Sequence, residues 1–323
     1  MRRVSVYLAV LASIAFLLLL GVPFASGQTG AQYVGSKQCE ECHAEQWEPF
    51  QTNPHHMADL DQDIVADQVG CEGCHGPGSL HVEADGNEED PRFATIRNFA
   101  KMKPDEAAAV CRTCHKTGEQ FHWDQSAHAR NDVKCQDCHS IHSPSVEGGG
   151  ALLKAAGPTQ LCVRCHQDKR ATLANTAHMP VREGAMSCAD CHNPHGSAGP
   201  RMIRATSNND LCTTCHMDKR GPFLWEHPPV REDCVTCHQP HGSSHARMLT
   251  QKMPNLCWNC HLTGSGHFGS GDNLSTEKGV PVAPAGAPSG YPTVNSRFIG
   301  RACAKCHLNI HGSNAPSGAF FVR

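Results

Sequence analysis

Residues 162–196 read CVRCHQDKRATLANTAHMPVREGAMSCADCHNPHG, and residues 212–242 read CTTCHMDKRGPFLWEHPPVREDCVTCHQPHG. Each stretch holds a C-x-x-C-H motif, a lone histidine, a second C-x-x-C-H motif and a final histidine, in that order. The same order runs along the chain, with repeats that begin at Cys39, Cys111, Cys162, Cys212 and Cys257. The sequence therefore predicts five tandem repeats, each too small to bury a core of its own.

Cysteine and histidine usage points to one kind of prosthetic group. All 20 cysteines fall into C-x-x-C pairs, and a histidine follows each pair directly. C-x-x-C-H is the attachment motif of c-type haem: the two thiols form thioethers with the porphyrin, and the histidine is the proximal iron ligand. Zinc binding and disulfides are the alternatives for paired cysteines, but neither explains a histidine after every pair. The sequence predicts ten covalent c-type haems.

The predicted attachment residues are the two cysteines and the histidine of each motif. The cysteines are Cys39, Cys42, Cys71, Cys74, Cys111, Cys114, Cys135, Cys138, Cys162, Cys165, Cys188, Cys191, Cys212, Cys215, Cys234, Cys237, Cys257, Cys260, Cys303 and Cys306. The proximal histidines are His43, His75, His115, His139, His166, His192, His216, His238, His261 and His307.

A second set of histidines recurs in register with the motifs and matches the number of sixth iron positions. The lone histidines are His55 (or its neighbour His56), His128, His178, His227 and His267. The final histidines are His81, His142, His195, His241 and His311. These residues predict bis-histidine ligation of every haem. Met57 and Met179 are alternative axial ligands that we interpret as haem packing.

The spacing of the final histidines carries a geometric prediction. His142, His195 and His241 each lie three residues after a proximal histidine. Because so short a segment is unlikely to wrap around one porphyrin, we expect these residues to ligate neighbouring haems. In the last repeat His267 lies only six residues after His261, and it is the least regular candidate. His122 and His245 are left over.

The composition favours a fold packed around haem. The chain has 323 residues but only 3 Tyr, 4 Trp and 11 Phe, so side chains alone supply little core volume. We predict an elongated, haem-packed multihaem cytochrome c, mostly loops with short α-helices and little or no β. The predicted domain spans residues 28–323, with dihaem repeats at about 36–90, 104–147, 158–200, 208–248 and 254–313. Candidate helix N-caps are Ser36, Thr159, Asn209 and Asn255.

The N-terminus is typical of a Sec signal peptide over residues 1–27. Arg2 and Arg3 precede an apolar run from Leu8 to Leu20, and small residues follow at a candidate cleavage site. An uncleaved membrane anchor is the alternative, although the run is short for a spanning helix. No cysteine lies near the cleavage site, so no lipoprotein signal is predicted. The net charge of −3 is not that of a nucleic-acid-binding protein.

Together, the signal peptide, the ten motifs and the paired CxxCH…H…CxxCHxxHG units resemble the MtrA/DmsE family of periplasmic decahaem cytochromes. The resemblance implies a nearly linear row of bis-histidine haems inserted into an outer-membrane β-barrel porin of the MtrB type. It also implies electron exchange between periplasmic or inner-membrane cytochromes and outside partners. Those partners include iron oxides, Fe(II), dimethyl sulfoxide or an extracellular multihaem cytochrome. The location it implies is the periplasm, in association with the outer membrane.

Two other functions compete with an electron conduit in the outer membrane. One is a soluble periplasmic electron shuttle, and the other is a multihaem reductase of a small oxidant such as nitrite. Catalysis at haem needs an open or displaceable sixth position. The sequence offers a histidine for every iron and no variant attachment motif. It therefore favours an electron carrier over an enzyme.

Overall fold

The computed structural model describes residues 30–59, 69–142, 150–261, 281–282, 294–295, 302–316 and 318–322. The predicted signal peptide and the candidate ligand His267 lie outside the described residues. Within the described ranges, no helix has the length and apolar character needed to cross a bilayer.

Short helices separated by turns make up most of the regular structure. The longest described α-helix, Pro104–Cys111, has eight residues. The α-helices are Ser36–Glu40, Ala44–Phe50, Pro54–Asp59, Gly70–His75, Ser79–Glu83, Pro104–Cys111, Ala127–Arg130, Cys135–Cys138, Pro158–Cys162, Gln167–Thr172, Cys188–Cys191, Asn208–Thr213, Pro228–Glu232 and Asn255–Trp258. The 3-10 helices are Phe93–Thr95, Gly118–Gln120, Trp123–Gln125, Gly150–Leu152, Pro200–Met202, Met217–Lys219, Cys234–Thr236, Ala246–Met248, Cys303–Lys305 and Gly318–Phe320.

Extended structure is sparse in the described part of the chain. Pro281–Val282 pairs antiparallel with Val294–Asn295 in a two-stranded ladder. Other β-type pairing consists of isolated bridges, such as His192 with Ile203. The predicted mixture of loops and short helices with little β is confirmed.

The described residues belong to two compact units. The smaller unit falls within Met1–Cys111 and Ile141–Ser143, and the larger within Arg112–Ser140 and Pro144–Arg323. The division cuts through the second predicted repeat. The predicted single domain and its repeat boundaries stay predictions.

Few apolar side chains are buried among the described residues. They are Phe50, Ala84, Ala107, Ala108, Trp123, Ala155, Leu173, Ile203 and Leu249. Four of these are alanines, which contribute little apolar area. Side-chain packing of this extent is small for a chain of 323 residues. The prediction that another group supplies buried volume is consistent with this core.

The predicted helix caps are wrong in detail. The caps of three helices are Gly35, Gly157 and Pro254, so Ser36, Thr159 and Asn255 lie inside their helices. Helix Asn208–Thr213 is capped by Ser207, whose hydroxyl accepts from the Asp210 N–H. Asn209 instead uses its side-chain amide to hold the next motif. Its Nδ2 donates to the Val230 and Arg231 carbonyls, and its Oδ1 accepts from the Cys234 N–H.

Candidate haem sites

The C-x-x-C-H motif folds as a single helical turn. In motif after motif the histidine N–H donates to the carbonyl of the first cysteine, for example at 3.0 Å in Cys162–His166 and Cys188–His192. Residues three apart on a helical turn share a face. The two cysteines of each motif can therefore approach one porphyrin edge, with the histidine beside them.

Most of the predicted distal histidines lie opposite a proximal histidine. Six such ring pairs have centroids 6.0 to 6.3 Å apart and planes within 22° of parallel. These pairs are His43–His81, His75–His142, His139–His195, His192–His241, His227–His261 and His238–His311. In a seventh pair, His128–His166, the centroids are 6.1 Å apart and the planes are tilted by 57°.

The ring spacing fits an iron atom between the two imidazoles. A metal–imidazole bond is about 2 Å long, and the bonding nitrogen lies about 1 Å from the ring centre. Two ligands on opposite sides of one iron therefore have centroids roughly 6 Å apart. The donor set and the spacing both fit bis-histidine haem.

The pairing follows one rule in the larger unit. Each final histidine faces the second motif of the preceding repeat, as His195 faces His139 and His241 faces His192. Each lone histidine that pairs faces the first motif of the following repeat, as His227 faces His261. Ring pairs therefore join consecutive repeats, as the short spacing after the second motif predicts.

In the smaller unit the pairing begins differently. His81 lies opposite His43, the first motif of its own repeat, and His142 lies opposite His75. Residues 1–38 contain no histidine, and the first motif lies opposite the final histidine of its own repeat. A small cleft lies in this unit, and its lining includes Cys39, Trp47 and Phe50. An apolar lining of this kind suits a porphyrin face.

A recurrent backbone feature orients the proximal histidines of the second motifs. Nδ1 of His139 donates to the Ala151 carbonyl at 2.8 Å, His192 to Arg201 at 3.1 Å, and His238 to Arg247 at 2.9 Å. The three accepting residues have φ of 54°, 52° and 62°, and the residue after each is also left-handed. We call residues 151–153, 201–203 and 247–249 the carbonyl clips.

The carbonyl clips determine which ring nitrogen is available. A carbonyl can only accept, so Nδ1 carries the proton and Nε2 keeps the lone pair that can bind a metal. Metal-binding histidines usually donate their other N–H in this way. His75 and His307 make the same bond to the Arg97 and Phe320 carbonyls. Similar residues follow the second motifs of the second, third and fourth repeats, Leu-Leu-Lys, Met-Ile-Arg and Met-Leu-Thr, and they were the available sequence signal for the clips.

Several distal histidines are oriented in the same manner. Nδ1 of His81 donates to the Phe93 carbonyl and that of His128 to the Pro194 carbonyl, each at 2.7 Å. Burial lowers the pKa of other imidazoles below the ordinary value, which favours their neutral, metal-binding form. These residues are His75, His142, His195, His227, His241 and His311.

A glycine directly after the final histidine allows the chain to pass close to another loop. Gly196 and Gly242 have φ of 104° and 124°, in the region that favours glycine. A Cβ at Gly242 would lie 2.4 Å from the Thr172 carbonyl oxygen, and one at Gly196 would lie 2.5 Å from that of His122. The turn is closed by an N–H bond from each glycine to the residue three before it. The turn presents His195 or His241 at its third position.

Buried asparagines secure these histidine loops. Asn193 is 8% exposed; its Nδ2 donates to the Glu119 carbonyl and its Oδ1 accepts from the His195 N–H. Asn53, which is 2% exposed, donates to the Ile141 and His142 carbonyls in the smaller unit. Sequence reasoning missed these residues because a single asparagine in a loop carries no pattern.

Neighbouring motifs lie side by side through their cysteines. In four repeats the first cysteines of the two motifs are hydrogen-bonding partners. These pairs are Cys39–Cys71, Cys162–Cys188, Cys212–Cys234 and Cys257–Cys303. Burial, followed by the Cys234 thiol, raises the pKa of Cys212 to about 11, so the unattached thiol is neutral.

Cysteines also connect one repeat to the next in the larger unit. The last cysteine of a second motif interacts electrostatically with the last cysteine of the following first motif. These pairs are Cys138–Cys165, Cys191–Cys215 and Cys237–Cys260. With the pairs inside each repeat, the motifs from Cys135 to Cys303 are neighbours in sequence order.

His178 departs from the pattern. Its Nδ1 donates to the Asn175 carbonyl at 2.7 Å, and its Nε2 lies 3.0 Å from Glu183 Oε1. The Glu183 hydrogen bond raises the pKa of His178 above its ordinary value. The rule for lone histidines would place His178 opposite His216, in the first motif of the following repeat. The ring pairs of the described residues do not include this pair.

The remaining candidates lie elsewhere. The ring of His56 packs edge-on against Trp47 and Phe50, and His55 Nδ1 lies 3.1 Å from Asn53 Oδ1. The prediction that either His55 or His56 is a distal ligand therefore stays a prediction, with both residues as candidates. His122 packs against Phe121, and the backbone of His245 bonds with Ser243.

Comparison with known proteins agrees with this geometry. The family model described as "Doubled CXXCH motif" matches residues 128–171, 178–221 and 227–265. Each matched segment begins at a lone histidine and joins the second motif of one repeat to the first motif of the next. The repeats and the paired histidines define a multihaem c-type cytochrome.

A curated relative places the chain more narrowly. The chain is 34% identical over 302 residues to "Multiheme cytochrome MtrA" of Shewanella baltica (strain OS185), across 93% of this chain and 84% of the relative. The chain belongs to the MtrA family of multihaem cytochromes. It binds c-type haem covalently at its ten C-x-x-C-H motifs and serves in electron transport.

Proposed function

We propose that this chain moves electrons along a row of ten bis-histidine haems, held in an outer-membrane β-barrel porin. The observation that carries the proposal is the sequential adjacency of the motifs in the larger unit, together with the repeated ring pairs. Each haem supplies a one-electron Fe(III)/Fe(II) couple when bound. The protein's part is to hold neighbouring couples close and in a constant environment.

The proposed ligands follow the ring pairs. His43 pairs with His81, His75 with His142, His139 with His195, His166 with His128, His192 with His241, His238 with His311 and His261 with His227. By the same rule His178 is the partner of His216. His55 or His56 and His267 stay candidate ligands.

The residues around the imidazoles support electron transfer rather than turnover of a substrate. The carbonyl clips orient the proximal imidazoles, and burial lowers the pKa of distal imidazoles such as His241, which favours the neutral form that binds iron. Bis-histidine ligation gives potentials below those of Met/His haems. We propose that the chain is an electron carrier and not an enzyme.

The proposed location is the periplasm, at the outer membrane. Support comes from the signal-peptide pattern of residues 1–27 and from membership of the MtrA family. The proposed partners are an MtrB-like porin, periplasmic or inner-membrane cytochromes, and an extracellular multihaem cytochrome or another outside electron acceptor or donor. Metal oxide reduction, Fe(II) oxidation and dimethyl sulfoxide respiration are the processes that such a conduit would serve.

The test is gentle detergent extraction of the native outer membrane, followed by affinity capture of the tagged cytochrome and haem staining. Recovery of a stoichiometric β-barrel protein is the expected result. A cytochrome found free in the periplasmic fraction would overturn the conduit and favour a soluble shuttle. Rapid turnover of nitrite by the purified protein would favour a reductase.

A further inference from the structure

The first repeat buries a carboxylate inside its second motif. Glu72 directly follows the first cysteine of that motif, and the residue is only 3% exposed. At the matching position, the second motifs of the later repeats have uncharged residues. These are Gln136, Ala189, Val235 and Ala304. Because a buried charge needs hydrogen bonds to offset its loss of water, the glutamate is a specific feature of this repeat.

Backbone N–H groups from two segments hold the Glu72 carboxylate. Oε1 accepts from the Gly78 N–H at 2.7 Å, and Oε2 accepts from the Gly35 N–H at 2.7 Å. The Val34 N–H donates to both oxygens, at 3.0 and 3.1 Å. A carboxylate that receives several N–H bonds is stabilised in its charged form. The ion pairs found among the described residues do not include Glu72, so within that part of the chain no cation offsets the charge by direct contact.

The carboxylate lies between the two motifs of the repeat. Glu72 binds the backbone just before helix Ser36–Glu40, which carries Cys39. The Cys71 N–H donates to the Ser36 hydroxyl at 3.1 Å, which joins this helix to the second motif. The Cys71 thiol, burial and the Glu72 charge all raise the pKa of Cys39. The glutamate is therefore close to both haem attachment sites of the repeat.

The smaller unit belongs to an acidic part of the sequence. Residues 28–111 contain 16 acidic and 5 basic side chains, whereas residues 112–323 contain 15 acidic and 21 basic side chains. Exposed charges more than about 10 Å apart are largely screened at about 0.1 M salt, but buried charges are screened much less. Glu72 is the buried member of this acidic set among the described residues, so its charge acts most strongly on its surroundings.

We propose that Glu72 lowers the reduction potentials of the two haems of the first repeat, those attached at Cys39 and Cys42 and at Cys71 and Cys74. The inference rests on the proposed row of haems. Each reduction adds one electron to a haem, and a nearby fixed negative charge makes that addition less favourable. At equilibrium the same charge displaces an electron from the first repeat toward the haems of the larger unit.

Spectroelectrochemical titration of the ten-haem protein tests this role directly. Glu72→Gln removes the charge and nearly preserves the shape of the side chain. We expect about two of the ten haems to become about tenfold easier to reduce, a rise of about 59 mV for a one-electron couple. The other haems should keep their potentials. Pyridine haemochrome counts the haems, so that only preparations with all ten haems are compared.

Two further variants separate the charge from the shape of the side chain and from its burial. Glu72→Asp keeps the charge and should change the reduction equilibrium constants by less than about twofold. Glu88→Gln removes an exposed charge from the same unit, and at about 0.1 M salt its effect should also be less than about twofold. Equal shifts in Glu72→Gln and Glu72→Asp would overturn the proposal, because lost hydrogen bonds rather than lost charge would then be the cause.

Salt dependence supplies a second measurement. Because a buried charge is weakly screened, the shift in Glu72→Gln should persist at about 1 M salt. A shift that disappears at high salt, or unchanged potentials in Glu72→Gln, would also overturn the proposal. Magnetic circular dichroism of the same samples distinguishes this failure from failure of the haem row. If the low-spin bis-nitrogen signals are retained, the electron-transfer function stands and only the role of Glu72 is lost.

Discussion

The ring of His241 lies opposite that of His192 at 6.1 Å, with 15° between the planes, although His241 follows His238 by only three residues. The nearer proximal histidine, His238, lies opposite His311 instead, also at 6.1 Å. The loop that carries His241 thus places its histidine opposite the second motif of the preceding repeat. The second motif of its own repeat lies opposite the final histidine of the following repeat. If these pairs ligate iron, neighbouring haems are connected through only a few residues of backbone.

His241→Met is expected to raise the reduction potential of one haem and leave the other nine unchanged, because methionine replaces one imidazole ligand. Spectroelectrochemical titration of the holoprotein measures this. His245→Met is the control, because His245 lies four residues away and faces no proximal histidine in the described pairs. A shift of equal size in the control would contradict the proposed pairing.

Glu72 is expected to be a stability determinant of the smaller unit. Its side chain is 3% exposed, and its carboxylate accepts from the Val34, Gly35 and Gly78 N–H groups at 2.7 to 3.1 Å. Glu72→Gln replaces one acceptor oxygen by a donor, and we expect a loss of about 2 kcal/mol in the free energy of unfolding. Denaturant unfolding of the holoprotein measures the change.

The matched control for Glu72 is the exposed Glu88 in the same unit. Glu88→Gln should change the free energy of unfolding by less than about 0.5 kcal/mol. Equal effects of the two substitutions would show that the buried hydrogen bonds do not stabilise the unit.

Gly242→Ala is expected to disturb the loop that presents His241. The added Cβ would lie 2.4 Å from the Thr172 carbonyl oxygen, and φ is 124°. We expect a loss of about 2 kcal/mol or more and a lower yield of protein with all ten haems. Pyridine haemochrome and intact mass measure haem content.

Gly86→Ala separates the steric effect from backbone strain, because Gly86 also has positive φ, 77°, but no atom within 4 Å of an added Cβ. Its cost should be about 1 kcal/mol, with haem content unchanged. If both variants lost haem equally, the close approach of the added Cβ to the Thr172 carbonyl would not be the cause of the haem loss.

Asn209→Ala removes three hydrogen bonds between the two motifs of the fourth repeat. We expect a loss of about 2 kcal/mol, since partly buried backbone groups lose their partners. Asn131→Ala removes one exposed bond to the Ala127 carbonyl and should cost much less. Thermal unfolding of the two holoproteins compares them, and equal melting temperatures would exclude a clamping role for Asn209.

The repeat order of the motifs was sufficient to predict short helices, little β and c-type haem attachment. The expectation that His195 and His241 face neighbouring motifs followed from a spacing too short to wrap around one haem. The ring pairs agree with it, although ligation itself stays a prediction. His81, with a spacing of six, lies opposite the first motif of its own repeat, and no spacing rule distinguished that arrangement.

Other features could not be read from residue types. Asn209 was predicted as a helix cap because asparagine favours that position, but tertiary bonds to Cys234 and its neighbours determine its place. The carbonyl clips depend on left-handed backbone at residues such as Arg201 and Arg247, which lack the usual glycine signal. The contact of Glu183 with His178 arises from a loop closure that only the folded chain reveals.

The central claim is that paired histidines ligate the haems throughout the row. Near-infrared magnetic circular dichroism and electron paramagnetic resonance of the oxidised ten-haem protein test it most directly. We expect at least about nine of the ten haems to be low-spin with two nitrogen ligands. Several high-spin haems, or a methionine charge-transfer band from several haems, would contradict the claim.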